Sequence, residues 1–227
     1  MLDGVLAQLE RDGFSFCRAL TPEMPTIEIA QVLGAIVNIE RLLPSSGIPT
    51  VQVLRPRRAS DVGPNQYSGY FGLGAFPLHT DLAHWAFPPH YFLLRCVAGL
   101  DDVFTPVLSW TPIVESVGTP VLQRAVFGGR RPRIGYSGLV RAMSEREGTV
   151  VFRWDPIFLK PLNQEARALA KAMGNSAWNE AALKILLKEP GDTLIVDNWR
   201  MLHGRGDVKP VNVSRQIERV YLSEVFR

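Results

Sequence analysis

Cysteine is nearly absent from this 227-residue chain, and the two present, Cys17 and Cys96, form no spacing motif. A fold stapled by disulfides is therefore excluded. Both sit among apolar neighbours ("FSFCRAL", "LLRCVAG"), which suits buried, reduced thiols. Long apolar runs are missing too. No stretch approaches the roughly 18 uninterrupted apolar residues of a membrane span. The opening "MLDGVLAQLERDGF" lacks a basic segment followed by an apolar one, so a cytoplasmic protein without membrane contact is expected. Charge of one sign is also lacking: 25 basic residues against 22 acidic leave a net charge of +3. Two arginine clusters, Arg55–Arg58 and Arg130–Arg133, read as solvated loops, and no nucleic-acid partner is expected. No repeat, low-complexity stretch or linker divides the chain, so one domain over residues 1–227 is expected. Homo-oligomerisation is left open.

Turn formers, by contrast, are plentiful. Seventeen prolines and nineteen glycines are spread along the chain. They punctuate short strand-like segments: "GFSFCRAL", "TVQVLRPR", "HYFLLRCVAG", "TPVLSW", "RPRIGYSG", "GTVVFRWD", "DTLIVDN" and "RQIERVYLSEVF". Short strands between Gly, Pro and Asp turns point to a sandwich or barrel. Helices are expected over residues 3–11, through "TPEMPTIEIAQVLGAIVNIERLL", and over "LNQEARALAKAMGNSAWNEAALKILLKEPGD", the last split by its Gly-Asn-Ser turn.

Of the four histidines, three fall in "HTDLAHWAFPPH": His79, His84 and His90. In an extended strand, residues i and i+2 project from one face, so His79 and Asp81 can grip one metal ion together. Two ligands hold a metal poorly. A third histidine would complete the two-histidine, one-carboxylate triad of non-haem Fe(II) oxygenases, which leaves coordination positions open. The remaining histidine, His203, lies far along the chain after a strand and an Asp-Asn turn, where a returning strand can bring it beside His79. On the spacing alone, His79 and Asp81 are equally a chance pair on a loop. His84, at i+5, falls on the opposite face from His79, and Pro88–Pro89 forbid a helix between the histidines. His84 and His90 therefore read as pocket, rim or packed histidines.

"SRQIERVYL" carries a second signal. With period two, Arg215, Ile217, Arg219 and Tyr221 share a face. If that face points inward, its guanidiniums need anionic partners, because an unpaired buried charge is costly. Four strand residues separate the two arginines by about 13 Å, enough for two different anionic groups. The plainer alternative is a pair of exposed arginines facing surface carboxylates.

Together, "FPLHTDLAHWAFPPHYFLLRC", "GDTLIVDNWRMLHGR" and "SRQIERVYL" resemble the taurine/2-oxoglutarate dioxygenase-like family, relatives of clavaminate synthase. The resemblance covers roughly residues 65 to 225. It implies a mainly β fold with flanking helices, the double-stranded β-helix or jelly roll of the clavaminate synthase type. It also implies that His79, Asp81 and His203 bind Fe(II), and that Arg215, twelve residues after His203, holds the far carboxylate of the cosubstrate 2-oxoglutarate. Thr105, in "GLDDVFTPVLSW", is the nearest match to a threonine that also contacts 2-oxoglutarate, although the glycine pair expected before it is displaced. Arg219 matches a position that in some relatives holds an anionic group of the substrate. O2 is the co-reactant, and succinate and CO2 the co-products. The carboxylate at Asp81 argues against halogenation, which in this family uses a small residue there. Asn65, Tyr67, Tyr70, His84, Trp85 and Arg205 are candidate pocket residues; Arg153 and Asp155 read as structural. The implied activity is hydroxylation of an unactivated C–H bond in a small carboxylate- or amino-acid-like molecule. Two rivals stand beside it: a non-haem iron oxidase or cyclase independent of 2-oxoglutarate, and a non-catalytic jelly-roll ligand-binding protein.

Overall fold

The computed structural model describes residues 2–42, 47–63, 66–130 and 138–226. Asn65, most of the second arginine cluster and most of the strand expected at "RPRIGYSG" lie outside the described residues. The chain opens with α1 (Leu2–Asp12), β1 (Phe14–Cys17), α2 (Thr26–Leu33), β2 (Gly34–Ile36), α3 (Ile39–Leu42), β3 (Gln52–Leu54) and α4 (Tyr67–Phe71). Then come β4 (Phe76–His79), β5 (Tyr91–Ala98), β6 (Phe104–Ser109), α5 (Thr111–Val117) and α6 (Thr119–Arg124). The middle holds β7 (Val126–Gly129), β8 (Val140–Arg141), β9 (Met143–Arg146), β10 (Thr149–Phe152) and β11 (Leu159–Pro161). Helices α7 (Gln164–Met173) and α8 (Ala177–Ala181) lead to β12 (Leu183–Leu186), β13 (Thr193–Asp197), β14 (Met201–Arg205) and β15 (Gln216–Val225).

Two antiparallel sheets form the jelly roll. The larger runs β1-β13-β5-β15-β2, with β3 also paired to β15; the smaller runs β12-β6-β14-β4. Their facing sides enclose one core. Phe92, Leu94 and Cys96 of β5, Leu194 and Val196 of β13, and Ile217 and Tyr221 of β15 meet Val107, Ile185 and Met201 from the smaller sheet. The alternate residues Leu93, Ile195, Val220 and Leu222 face the other way and bury the apolar stripes of α1 and α2. Strand β13, flanked by β1 and β5, is buried along its whole length, as its run of branched residues demands. Behind the smaller sheet, Leu78, Leu108 and Leu202 pack on α5 to α7 around Trp110 and Phe127. Helix α7 starts where the Asn163 side chain accepts a hydrogen bond from the Ala166 N–H at 3.0 Å.

Two expected helices are shorter than the periodicity suggests, and the reason is the same. The helix expected to run through Leu43 ends at Leu33, and Gly34–Ile36 becomes a strand on β15. A methyl group on Gly34 would run into the Glu224 carbonyl, so only glycine lets the two backbones approach. Likewise "LKIL", expected as helix, is the edge strand β12 paired with β6. Both segments complete a sheet, and pairing plus burial of Ile185 and Leu187 outweighs helix propensity. Of the two thiols, Cys96 is buried but Cys17 only half-buried.

Candidate metal centre

Strands β4 and β14 pair antiparallel with His79 directly opposite His203. Opposed residues project to the same face, and the two rings stand 4.3 Å apart between centroids. Asp81 arrives differently from the strand-face expectation. β4 ends at His79, and Asp81 lies in the turn beyond it. That turn is clamped from two sides. Thr80 exchanges hydrogen bonds with the backbone of Trp154 through its N–H and its hydroxyl. The Asn198 side chain accepts from the Asp81 N–H at 2.8 Å and donates to the carbonyls of Asp81 and Pro89, both at 3.0 Å. The Asp-Asn turn before β14 thus ties the carboxylate-bearing turn to the strand that carries the second histidine.

Asp81 Oδ1 lies 3.7 Å from His79 Nε2 and 3.8 Å from His203 Nε2. One ligand atom from each of the three residues lies within 4.8 Å of the others, a spacing that suits a single metal ion held by all three. His79 Nδ1 bonds the Pro77 carbonyl at 2.8 Å. A carbonyl only accepts, so Nδ1 carries a proton, which in the neutral ring leaves the Nε2 lone pair for a metal. His203 is held neutral: burial above all, then His79, push its pKa down to about 3. Burial acts to raise the Asp81 pKa, but the Arg219 charge leads the partners that outweigh it and hold the carboxyl below its ordinary value, with the Tyr221 hydroxyl directed at the same group. A neutral His203 and an ionised Asp81 are states that metal ligation requires. The donor set and its protonation fit Fe(II).

Aromatic rings wall the centre. Tyr67 stacks on His79 at 4.1 Å and Phe92 lies 4.5 Å from His203, measured between ring centroids. The Tyr67 hydroxyl lies beside the Asp155 carboxylate without a strict hydrogen bond. Asp155 itself accepts from the backbone N–H groups of Ile157 and Phe158, both at 2.7 Å.

The three arginines differ sharply. Arg219 donates from Nη1 to Asp81 Oδ2 and from Nη2 to Gln52 Oε1, both at 2.7 Å. Arg205 donates from Nη2 to the carbonyls of Gly72 and Gly74 at 2.9 and 2.7 Å and lies 3.6 Å over the Phe76 ring. Arg215 is 6% exposed, and among the described residues no hydrogen bond or ion pair holds it. Burial pushes its pKa down to about 10. It lies just before β15, whose pairing with β5 shifts register between Gln216 and Ile217, an irregularity of the kind that re-aims a side chain. Thr105 is buried on β6, two residues from Val107, the partner of His203, and so shares its face.

The other expected pocket residues are more dispersed. Tyr70 is 48% exposed; it is Tyr67, one helical turn earlier, that meets His79. His84 is half-buried with its ring 5.4 Å from Phe158. His90 lies away from the triad, stacked between Tyr91 at 3.9 Å and Trp199 at 3.8 Å. Arg153 holds the Trp85 and Ala86 carbonyls, so it braces the loop after Asp81, and no ion pair joins it to Asp155 among the described residues. Gln52 was not anticipated. It lies on a three-residue edge strand whose pairing opposite Arg219 is long-range, and no local signal announces it. A surface groove of about 440 Å³ lined by Gln123, Arg124 and Arg141 shares no residue with the centre. No helix among the described residues is long and apolar enough to cross a membrane.

No family model matches the chain, and no curated protein matches it either. Solved structures do. An asparagine oxygenase in complex with Fe(II), 2S,3S-3-hydroxyasparagine and succinate superposes with a TM-score of 0.70 at 17% identity, over 97% of this chain and 77% of that one. The PvcB protein from Pseudomonas aeruginosa gives 0.67 at 15% identity, over 100% of this chain and 82% of its own. The non-haem iron oxygenase OrfP, in complex with Fe and alpha-ketoglutaric acid, gives 0.56 at 21% identity, over 78% of this chain and 57% of that one. At these identities the likeness establishes a shared jelly-roll fold.

Proposed function

We propose that the chain is an Fe(II)- and 2-oxoglutarate-dependent oxygenase that hydroxylates a C–H bond of a small, amino-acid-like molecule. One observation carries the reading: the fold holds both a buried His79–Asp81–His203 cluster and a buried arginine, Arg215, that lacks an anionic partner among the described residues. A buried guanidinium without a counter-charge is costly, and a dicarboxylate cosubstrate supplies the missing charge. The solved structures of the same fold add support: the asparagine oxygenase complex contains Fe(II), hydroxyasparagine and succinate, and the OrfP complexes contain Fe with alpha-ketoglutaric acid or with succinate and hydroxyarginine. The amino-acid character of the substrate is taken from them, as is the proposal of one catalytic domain over residues 1–227.

In this mechanism His79 Nε2, His203 Nε2 and Asp81 Oδ1 would hold Fe(II). Fe(II) held there would supply O2 activation coupled to oxidative decarboxylation of 2-oxoglutarate to succinate and CO2, with one oxygen atom going to succinate and the other to substrate. The Arg215 guanidinium would hold the far carboxylate through charge-assisted N–H donation, and the Thr105 hydroxyl would add a donor from the facing sheet. Tyr67 and Phe92 exclude water around the imidazoles. Asn198 keeps the Asp81 turn in place while ligands exchange.

The decisive experiment adds Fe(II), then 2-oxoglutarate, under anaerobic conditions. A weak visible charge-transfer band is expected, followed in air by succinate formation coupled to one member of a free amino-acid library. Substrate oxidation without any need for 2-oxoglutarate would favour the oxidase rival. Ligand binding that survives His79→Ala, with no turnover, would favour the binding protein.

A further inference from the structure

We infer that Arg219 is a positioning residue for the metal ligand Asp81 and is not a receptor for a substrate anion. The inference rests on the iron-centre reading above. Both terminal nitrogens of the guanidinium are engaged, Nη1 by Asp81 Oδ2 and Nη2 by Gln52 Oε1, each at 2.7 Å, while its buried Nε has no hydrogen-bond partner among the described residues. Neither contact is casual. Gln52 sits directly opposite Arg219 in the β3–β15 pairing and is 7% exposed. The guanidinium carbon lies 4.9 Å over the Tyr221 ring, which fixes its plane from a third direction. Since a guanidinium only donates, Oε1 of Gln52 must face it, so the amide orientation is set as well.

The geometry gives Asp81 two differently used oxygens. Oδ2 is claimed by Arg219, while Oδ1 faces both imidazoles at 3.7 and 3.8 Å. The carboxylate is thereby held as a one-oxygen ligand. A second coordinated oxygen would consume a position that cosubstrate or O2 needs. Were a substrate carboxylate to take Arg219, Asp81 Oδ2 would lose its charge-assisted bond inside a buried site, where an unpaired acceptor is expensive. Arg205 is likewise engaged by two carbonyls. That leaves Arg215 as the site's uncommitted guanidinium among the described residues, enough for one dicarboxylate end. Substrate selection must then rely on contacts other than an arginine–carboxylate pair at Arg219.

The test compares the full-length wild type with Arg219→Met, Arg219→Lys and Gln52→Met. Co(II) affinity is read anaerobically from its visible bands, and 2-oxoglutarate affinity is read at saturating Co(II). Loss of such an outer support typically weakens metal binding roughly 10- to 100-fold, and that loss is expected for Arg219→Met, with 2-oxoglutarate affinity little changed. Gln52→Met should weaken metal less, by freeing Arg219 to swing. Arg219→Lys, a single point charge, should restore part of the affinity. If Arg219→Met does not fold, Gln52→Met and Arg219→Lys decide: unchanged Co(II) affinity in both overturns the inference. It is equally overturned if Arg219→Met binds Co(II) like wild type but loses affinity for an amino-acid substrate. A wild type that fails to bind Co(II) or Fe(II) overturns the iron-centre reading instead.

Discussion

The two sheets face each other across the centre with opposite kinds of residue. The smaller sheet brings imidazoles: His79 and His203 sit opposite each other on β4 and β14. The larger sheet brings cations from β15 and its start, Arg215 and Arg219. On the imidazole side most polar atoms are tied into the protein: His79 to Pro77, and the Asp81 turn to Asn198 and Trp154. On the cation side Arg215 has burial without a partner among the described residues. The contrast separates a region built to be rigid before any ligand arrives from one that is complete only when a ligand is bound. Stability should therefore be invested in the first region and affinity in the second.

The largest effect should come from the imidazole wall. His203→Ala removes one of three ligands and should reduce metal binding and turnover to background, checked by anaerobic Fe(II) titration and succinate release. His203 is buried against the His79 and Phe92 rings, so the cavity left by the substitution should also lower the melting temperature. An unchanged melting temperature would break the division drawn above.

Next comes Asn198→Ala. Three buried hydrogen bonds are lost, two of them to the Asp81 backbone. Unsatisfied buried groups cost about 1–3 kcal/mol each, so urea denaturation should show a loss on the order of 3 kcal/mol, with weakened metal binding. This variant joins stability to function because the clamp belongs to the rigid side.

The division also explains what was legible in the chain. His79, Asp81 and His203 could be chosen because few histidines compete and a period of two is local. The path by which Asp81 reaches its position was not legible, since it depends on a turn clamped by Asn198, which is remote in sequence. Gly34–Ile36 and Leu183–Leu186 were read as helix because their periodicity is ambiguous and their sheet partners are far away. Tyr67 and Tyr70 lie on one short helix, and only tertiary packing determines which ring meets His79. Arg215, Arg219 and Arg205 read alike, yet their hydrogen bonds divide them into three roles.

Arg215→Met tests the ligand-requiring side. It should weaken 2-oxoglutarate binding by roughly 10- to 100-fold, given about 1.5–3 kcal/mol for a hydrogen bond to a charged group. The apo protein should melt no lower than wild type, because replacing an unpaired buried charge by an apolar side chain is neutral or stabilising. A lower melting temperature with unchanged 2-oxoglutarate affinity would place Arg215 on the rigid side and break the comparison.

Arg205→Met gives the smallest effect and the sharpest control. Burial pushes the pKa of Arg205 and of Arg215 alike down to about 10, and at Arg205 the charge of Arg215 adds to that. The two carry the same charge and similarly lowered pKa values, although Arg205 is half-buried and Arg215 buried, so the main difference between their variants should come from hydrogen-bond partners. Arg205 bridges the carbonyls of Gly72 and Gly74 after α4, the helix that holds Tyr67 against His79. Methionine keeps the packing on Phe76 but drops both bonds, a net loss of about 1–2 kcal/mol. Removing one of two like charges offsets part of that. The expected outcome is a small fall in thermal stability with 2-oxoglutarate affinity close to wild type, the reverse of Arg215→Met. If both variants instead lose 2-oxoglutarate affinity to the same degree, the two arginines act as one anion receptor spanning both sheets, and the assignment of rigidity to one wall and recognition to the other fails.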